Sequence, residues 1–271
     1  MIELINMDEH LLHETLGHSS KGNQLKWKYD GYWYKADHMG YEGLTEIIIS
    51  NLLLHSNVTN YVKYEPSQIR YKSKIYNGCK SRNFLPEKEE LIAVDRLFRQ
   101  YTGLSLTKEL AQITSVKDRI VYLVENVKEI TRIQSIGQYI TMTLEMDAFF
   151  LNEDRHTNNI AVLYNSTDNT YRLSPYFDNG LSLFADTNED FPLEKPIEDC
   201  FSLIKAKPFS MDFDEQADEA ASLFGRQLKL HFTINDVEKE LEKFIALYDK
   251  QILARVEKTL RIQIRKYQYL F

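Results

Sequence analysis

The sequence predicts an α+β chain in two parts, a strand-bearing segment over residues 1–86 and a helical segment over residues 87–271. Two observations predict it. Aromatic-rich runs lie on either side of Asp30-Gly31, a pair preferred in two-residue hairpin turns because both positions need positive φ. Beyond Pro86 the apolar residues instead recur near the 3.6-residue helical period.

Leu25–Tyr29 and Tyr32–Ala36 are the two strands about that turn, and a small-residue stretch, Gly17 to Trp27, runs into the first of them. Backbone N–H groups of such a turn can converge on phosphate oxygens, although its composition is also that of an ordinary loop. Leu44–His55 reads as a core-facing helix. Tyr61–Tyr64 and Ile69–Tyr76 read as further strands, and Asn77–Pro86 as the exit from the sheet, where a hinge would fall. Helices are then predicted over Glu89–Tyr101, Leu106–Gln112, Val116–Ile130 and Ile133–Leu151. Ile160–Tyr164 and Tyr171–Ser174 form a predicted hairpin around the polar turn Asn165–Asn169. From Thr233 a helix start leads into one long amphipathic face running from Val237 to Ile264, with Arg255, Lys258, Arg261, Arg265 and Lys266 toward its end.

The bulk numbers bound the partners. With 271 residues, 43% of them hydrophobic, the chain can build a sizeable core in one large domain or two lobes. A net charge of −7 offers no overall basic field for nucleic acid or an anionic membrane. Cys79 and Cys200 form no CxxC pair, which argues against a disulfide framework or structural zinc and for a reducing compartment. No basic leader and no uncharged run of membrane-spanning length is visible, so a soluble cytoplasmic protein is expected, with export as an effector left open. His10, His13 and His18 are expected to be surface residues. The acid-rich stretch from Asp186 to Glu219 is read as solvated connection rather than as a surface for a basic partner.

The chemistry concentrates in Leu151–Leu163 and Leu173–Gly180. Asp154, an amide five positions later at Asn159, and a second acid leading Asp178-Asn-Gly180 are the parts that orient a hydroxyl and hold Mg²⁺ in phosphoryl transfer. Mg²⁺ takes hard oxygen ligands, and Asn159 offers one without adding negative charge beside a triphosphate. Asp154 is the candidate base, and Asn159 and Asp178 are the candidate metal ligands. Any one of them alone is equally an acid or amide in a solvated turn. Lys35 is the candidate phosphate-binding lysine, with Lys26 and Lys28 as rivals. Glu46, eleven positions on, is its candidate partner, or else a helix-start acid favoured by the macrodipole.

Ser19-Ser-Lys-Gly22, Tyr32-Trp-Tyr-Lys35, Asn152-Glu-Asp154-Arg-His156-Thr-Asn-Asn159 and Leu173-Ser-Pro-Tyr-Phe-Asp178 resemble the HipA-like serine/threonine kinases, above all the small CtkA-type members that lack an added N-terminal subdomain. The resemblance runs in motif order from about Gly17 to Gly180. Lys35 is followed by Ala-Asp where relatives carry an apolar-proline run. The resemblance implies a two-lobed protein-kinase-like fold with a small β-sheet N-lobe carrying one helix and a mostly helical C-lobe. It implies ATP and Mg²⁺ as cofactors and a protein substrate with a Ser/Thr acceptor. Carried over, Asp154, Lys35 and Glu46 are catalytic, Asn159 and Asp178 hold the metal, and Ser19, Ser20, Lys21, Gly22 and His156 join them in binding nucleotide. Ser19, or its neighbour Ser20, would be an autophosphorylation site that silences the enzyme. A DNA-binding antitoxin, as in HipA-type toxin–antitoxin modules, is the implied partner, and a docking module that binds nucleotide without transfer is the competing reading. A metal-dependent hydrolase or a small-molecule kinase is a third.

Overall fold

Asp30 and Gly31 sit at φ of 47° and 75°, the left-handed pair that closes a two-residue hairpin with the right-handed strand twist. The structure is a computed structural model that describes residues 3–12 and 24–271. In chain order its strands are β1 (Leu4–Met7), β2 (Lys26–Tyr29), β3 (Tyr32–Ala36), β4 (Glu65–Tyr71), β5 (Lys74–Arg82), β6 (Glu89–Ala93), β7 (Ala161–Asn165) and β8 (Thr170–Leu173). Its helices are α1 (Glu42–Leu52), α2 (Val94–Thr102), α3 (Leu106–Gln112), α4 (Val116–Thr131), α5 (Ile136–Phe150), α6 (Ile197–Leu203), α7 (Phe213–Phe224), α8 (Ile234–Glu242) and α9 (Lys250–Lys266). The chain divides into two compact units, each made of more than one stretch of sequence.

The first unit comprises Met1–Asn83, Asp178–Ile204 and Lys229–Phe271. Its sheet has the order β1-β4-β5-β3-β2, antiparallel except for the parallel β1–β4 pair. Trp27, Tyr34, Ala36, Ile69 and Met7 bury the inner face of the sheet. Helix α1 lies unusually close to it, because a Cβ on Gly43 would sit 2.7 Å from the backbone of Gly78, and a Cβ on Gly78 would sit 2.1 Å from the Lys35 carbonyl. Two glycines thus set the distance between the helix that carries Glu46 and the strand that carries Lys35.

The second unit comprises Phe84–Phe177 and Lys205–Leu228. Helix α5 is buried on nearly every side and ends at Leu151, which takes the left-handed conformation (φ 58°) and turns the chain into the loop that follows. The hairpin of β7 and β8 forms as predicted, and β6 pairs with β7 to make an antiparallel sheet in the order β6-β7-β8.

Four expectations about elements change. Ile69–Tyr76 is not one strand, since the chain reverses at Lys72 (φ 53°) and Asn77–Arg82 continues as strand β5 instead of leaving the sheet. Tyr61–Tyr64 precedes β4 rather than forming a strand. Glu89–Ala93 is strand β6 and not the first turn of a helix. Five residues carry too little periodicity to separate the two states, and pairing with β7 decides. The long C-terminal face is broken over residues 243–249, where Phe244 and Tyr248 turn inward and the Asp249 side chain caps α9 by accepting from the Gln251 N–H at 2.7 Å.

Candidate active site

In the first unit Lys35 stands on β3, 8% exposed, and its Nζ donates to Glu46 Oε1 at 2.5 Å and to Asp178 Oδ1 at 2.7 Å. The three residues are eleven and 143 positions apart in sequence. The ammonium also lies 5.2 Å from the centre of the Tyr64 ring. Burial disfavours the charge, but the Asp178 and Glu46 carboxylates more than offset this and hold the lysine well above its usual pKa. Glu46 lies inside α1 rather than at its start, where Glu42 is the first-turn acid. Its second oxygen accepts the Asn179 N–H at 3.0 Å, which ties the segment beginning at Asp178 to the helix. Asp178 itself has φ 61°, a conformation that Asp tolerates better than most residues. Gly180 packs on Glu42, where a Cβ would approach to 3.3 Å. Of the rival lysines, Lys26 comes within 3.9 Å of Asp178 Oδ1, and Lys28 lies over the Trp33 ring.

In the second unit Asp154, His156 and Asn159 share the loop between α5 and β7. The loop is held by its backbone, with the Asp154 N–H donating to Asn152 Oδ1 at 3.1 Å and the Asp154 carbonyl accepting from the His156 N–H at 2.8 Å. Asn159 Nδ2 also donates to the Asp154 carbonyl, at 3.0 Å. That bond commits the nitrogen of the amide and leaves its oxygen as the end suited to a metal. His156 Nε2 is 3.7 Å from Asp154 Oδ2. Beneath the loop Arg155 forms a two-pronged ion pair with Asp147 of α5, both side chains being at most 3% exposed. The same guanidinium donates to the carbonyls of Asn159 and Phe177, so one buried cation fixes both ends of the hairpin segment, the second being the residue before Asp178.

Ser19, Ser20, Lys21 and Gly22 lie outside the described residues, as do His13 and His18. Cys79 and Cys200 are buried and unbridged. Three basic residues of α9 are engaged within their own unit. Arg255 donates to the carbonyls of Phe191, Pro192, Leu193 and Lys195, Lys258 pairs with Glu198, and Arg261 pairs with Glu238 and Glu257. Several acids of the 186–219 stretch sit at helix starts: Glu198 and Asp199 in α6, and Asp214 and Glu215 in α7, where Asp212 is the N-cap.

Immediately after β3, Asp37 accepts from the Gly43 N–H at 2.6 Å and the Tyr248 hydroxyl at 2.9 Å. Glu42 beside it accepts the N–H groups of His38, Met39 and Gly40. Burial and the nearby Glu42 carboxylate push the Asp37 carboxyl up to about 7, against the pull of Gly43 and Tyr248. An acid raised from its ordinary 3.8 holds its proton longer in the folded chain, so its contribution to stability falls as pH rises from about 4 to about 7. The slope from this group is roughly 1.4 kcal/mol per pH unit at its steepest. Asp37→Asn is expected to flatten it, which urea unfolding at pH 5 and pH 7.5 checks; equal losses in parent and variant would contradict the assignment.

No protein-family model matches the chain, and no curated protein matches it. A solved structure does. The proinflammatory kinase CtkA of Helicobacter pylori superposes with a TM-score of 0.59 over 90% of each chain, at 15% sequence identity. The fold is kinase-like. At that identity the likeness speaks for the fold, so the chemistry of the kinase-like fold rests on the residues described above. Among the described residues, no helix is long and apolar enough to cross a membrane.

Sequence reading overlooked two residues of this kinase-like fold. Asp147 sits seven positions before Asp154, and an acid within a mostly apolar helical run was the available signal. Lys207 reaches Asp154 from 53 positions away, with its Nζ 3.2 Å from Asp154 Oδ1, and no local pattern marks it.

Proposed function

We propose that the chain is an ATP- and Mg²⁺-dependent serine/threonine protein kinase of the HipA-like type. The observation that carries this reading is the buried convergence of Lys35 with Glu46 and Asp178. A lysine fixed between two carboxylates is a positioned cation for the phosphates of a nucleotide. The donor set for the metal is also suitable, because Asp178 and the Asn159 amide oxygen are hard ligands of the kind Mg²⁺ takes. When bound, Mg²⁺ offsets charge on the phosphates. Asp154 orients the acceptor hydroxyl and takes its proton, and Arg155 keeps the loop in place for it. Catalysis is then mostly positioning and electrostatics.

In this reading the acceptor is a Ser or Thr of a protein, including Ser19 or Ser20 of the chain's own loop, with Lys21, Gly22 and His156 beside the nucleotide. A DNA-binding antitoxin-type partner and a cytoplasmic setting belong to the same proposal. The test is incubation of the purified chain with γ-labelled ATP and Mg²⁺, followed by intact-mass measurement and peptide mapping. Phosphate on Ser19 or Ser20, or on an added protein, is expected. Nucleotide binding without transfer would favour the docking module, and a labelled metabolite without labelled protein would favour a small-molecule kinase.

Glu46→Gln removes one charge-assisted hydrogen bond from Lys35, an interaction worth about 1.5–3 kcal/mol. A fall in kcat/KM for ATP of roughly tenfold or more is therefore expected. Steady-state kinetics at varied ATP checks it, and an unchanged kcat/KM would contradict a role for the pair.

A further inference from the structure

We propose that Lys207 is a further catalytic residue, whose ammonium sits on the Asp154 carboxylate and contacts the phosphoryl group as it is transferred. The inference rests on the kinase reading. It stands on geometry within the second unit. Lys207 Nζ lies 3.2 Å from Asp154 Oδ1, with the Asp154 side chain only 13% exposed.

The segment that presents this lysine is built rather than loose. Gln216 of α7 is fully buried, and its amide clasps both sides of Lys207-Pro208: Nε2 donates to the Lys207 carbonyl at 3.1 Å, and Oε1 accepts the Phe209 N–H at 3.3 Å. Arg119 of α4 donates to the Phe209 carbonyl at 2.7 Å and to the Ile113 carbonyl with its Nε, and the Phe209 side chain is fully buried. Two helices are thus committed to holding one half-exposed lysine against the base.

The chemistry gives that position a use. The acceptor oxygen forms its bond to the γ-phosphorus while the bond to the β–γ bridging oxygen breaks, its electron pair leaving with ADP and the hydroxyl proton passing to Asp154. An ammonium beside Asp154 donates to a non-bridging oxygen of the moving phosphoryl group without giving up its own proton. Such a donor acts on charge in the transition state.

The test uses Lys207→Ala and Lys207→Arg in the full chain. Lys207→Ala is expected to lower kcat about 10²-fold while KM for ATP stays within about threefold, and Lys207→Arg is expected to recover part of the loss. In the parent, amine acylation of Lys207, followed by peptide mass spectrometry, is expected to slow severalfold when a non-hydrolysable ATP analogue and Mg²⁺ are added. Transfer by the parent with unchanged kcat in Lys207→Ala, or acylation indifferent to the analogue, overturns the role of Lys207 alone. A parent that binds the analogue but transfers nothing overturns the kinase reading and this role with it.

Discussion

Asp154→Asn is expected to lower phosphoryl transfer by about 10²- to 10⁴-fold, the range attached to a positioned general base. The substitution is informative because the backbone hydrogen bonds of the loop do not use the carboxylate. Its backbone N–H is held by Asn152 and its carbonyl by His156 and Asn159, all of which an asparagine at 154 keeps. The variant therefore retains the loop and the metal-side amide, and loses the proton acceptor and the charge that faces Lys207. Initial rates with γ-labelled ATP, beside the urea midpoint of each chain, separate the two effects. A variant as active as the parent would remove Asp154 from the chemistry, and one with a collapsed midpoint would show that the carboxylate is structural.

Asp147→Ala is expected to be the most destabilising of these changes, by about 3–5 kcal/mol, because it leaves a buried guanidinium without its counter-ion. Arg155 is 2% exposed, so its guanidinium has little access to bulk water once the carboxylate is gone. Burial raises the Asp147 carboxyl while Arg155 and Asn152 pull it back, as expected for an acid retained in the interior by its partner. Because Arg155 also holds the carbonyls of Asn159 and Phe177, activity is expected to fall along with stability. Chemical denaturation of Asp147→Ala, beside a double variant in which Arg155 is also replaced by methionine, checks the mechanism. The double variant should recover part of the loss, since much of the cost is the uncompensated charge. Additive losses would locate the cost elsewhere.

Local pattern carried much of the architecture. The Asp30-Gly31 turn, helices α3 and α4, and the hairpin of β7 and β8 are short-range features whose turn chemistry or periodicity is written in consecutive residues. Where a segment was short or lacked a breaker, reading failed: Tyr71 to Lys74 reverses without glycine or proline, Glu89–Ala93 becomes a strand through its partner, and the C-terminal face breaks in a stretch free of helix breakers. For Glu89–Ala93 a contact distant in sequence overrides a weak local preference.

The sequence by itself determined the residue types, namely which acids, amides and lysines are present and in what order. Only the tertiary structure decided their company. Lys35 was one of three candidate lysines until the sheet and α1 brought it within 2.5 Å of Glu46 and the return of the chain brought in Asp178. Lys207 carried no mark at all until Gln216 and Arg119 fixed its segment against Asp154. The physical reason is that spacing along a chain encodes helix and strand faces, whereas an ion pair between residues 53 or 143 positions apart depends on packing that no local window contains.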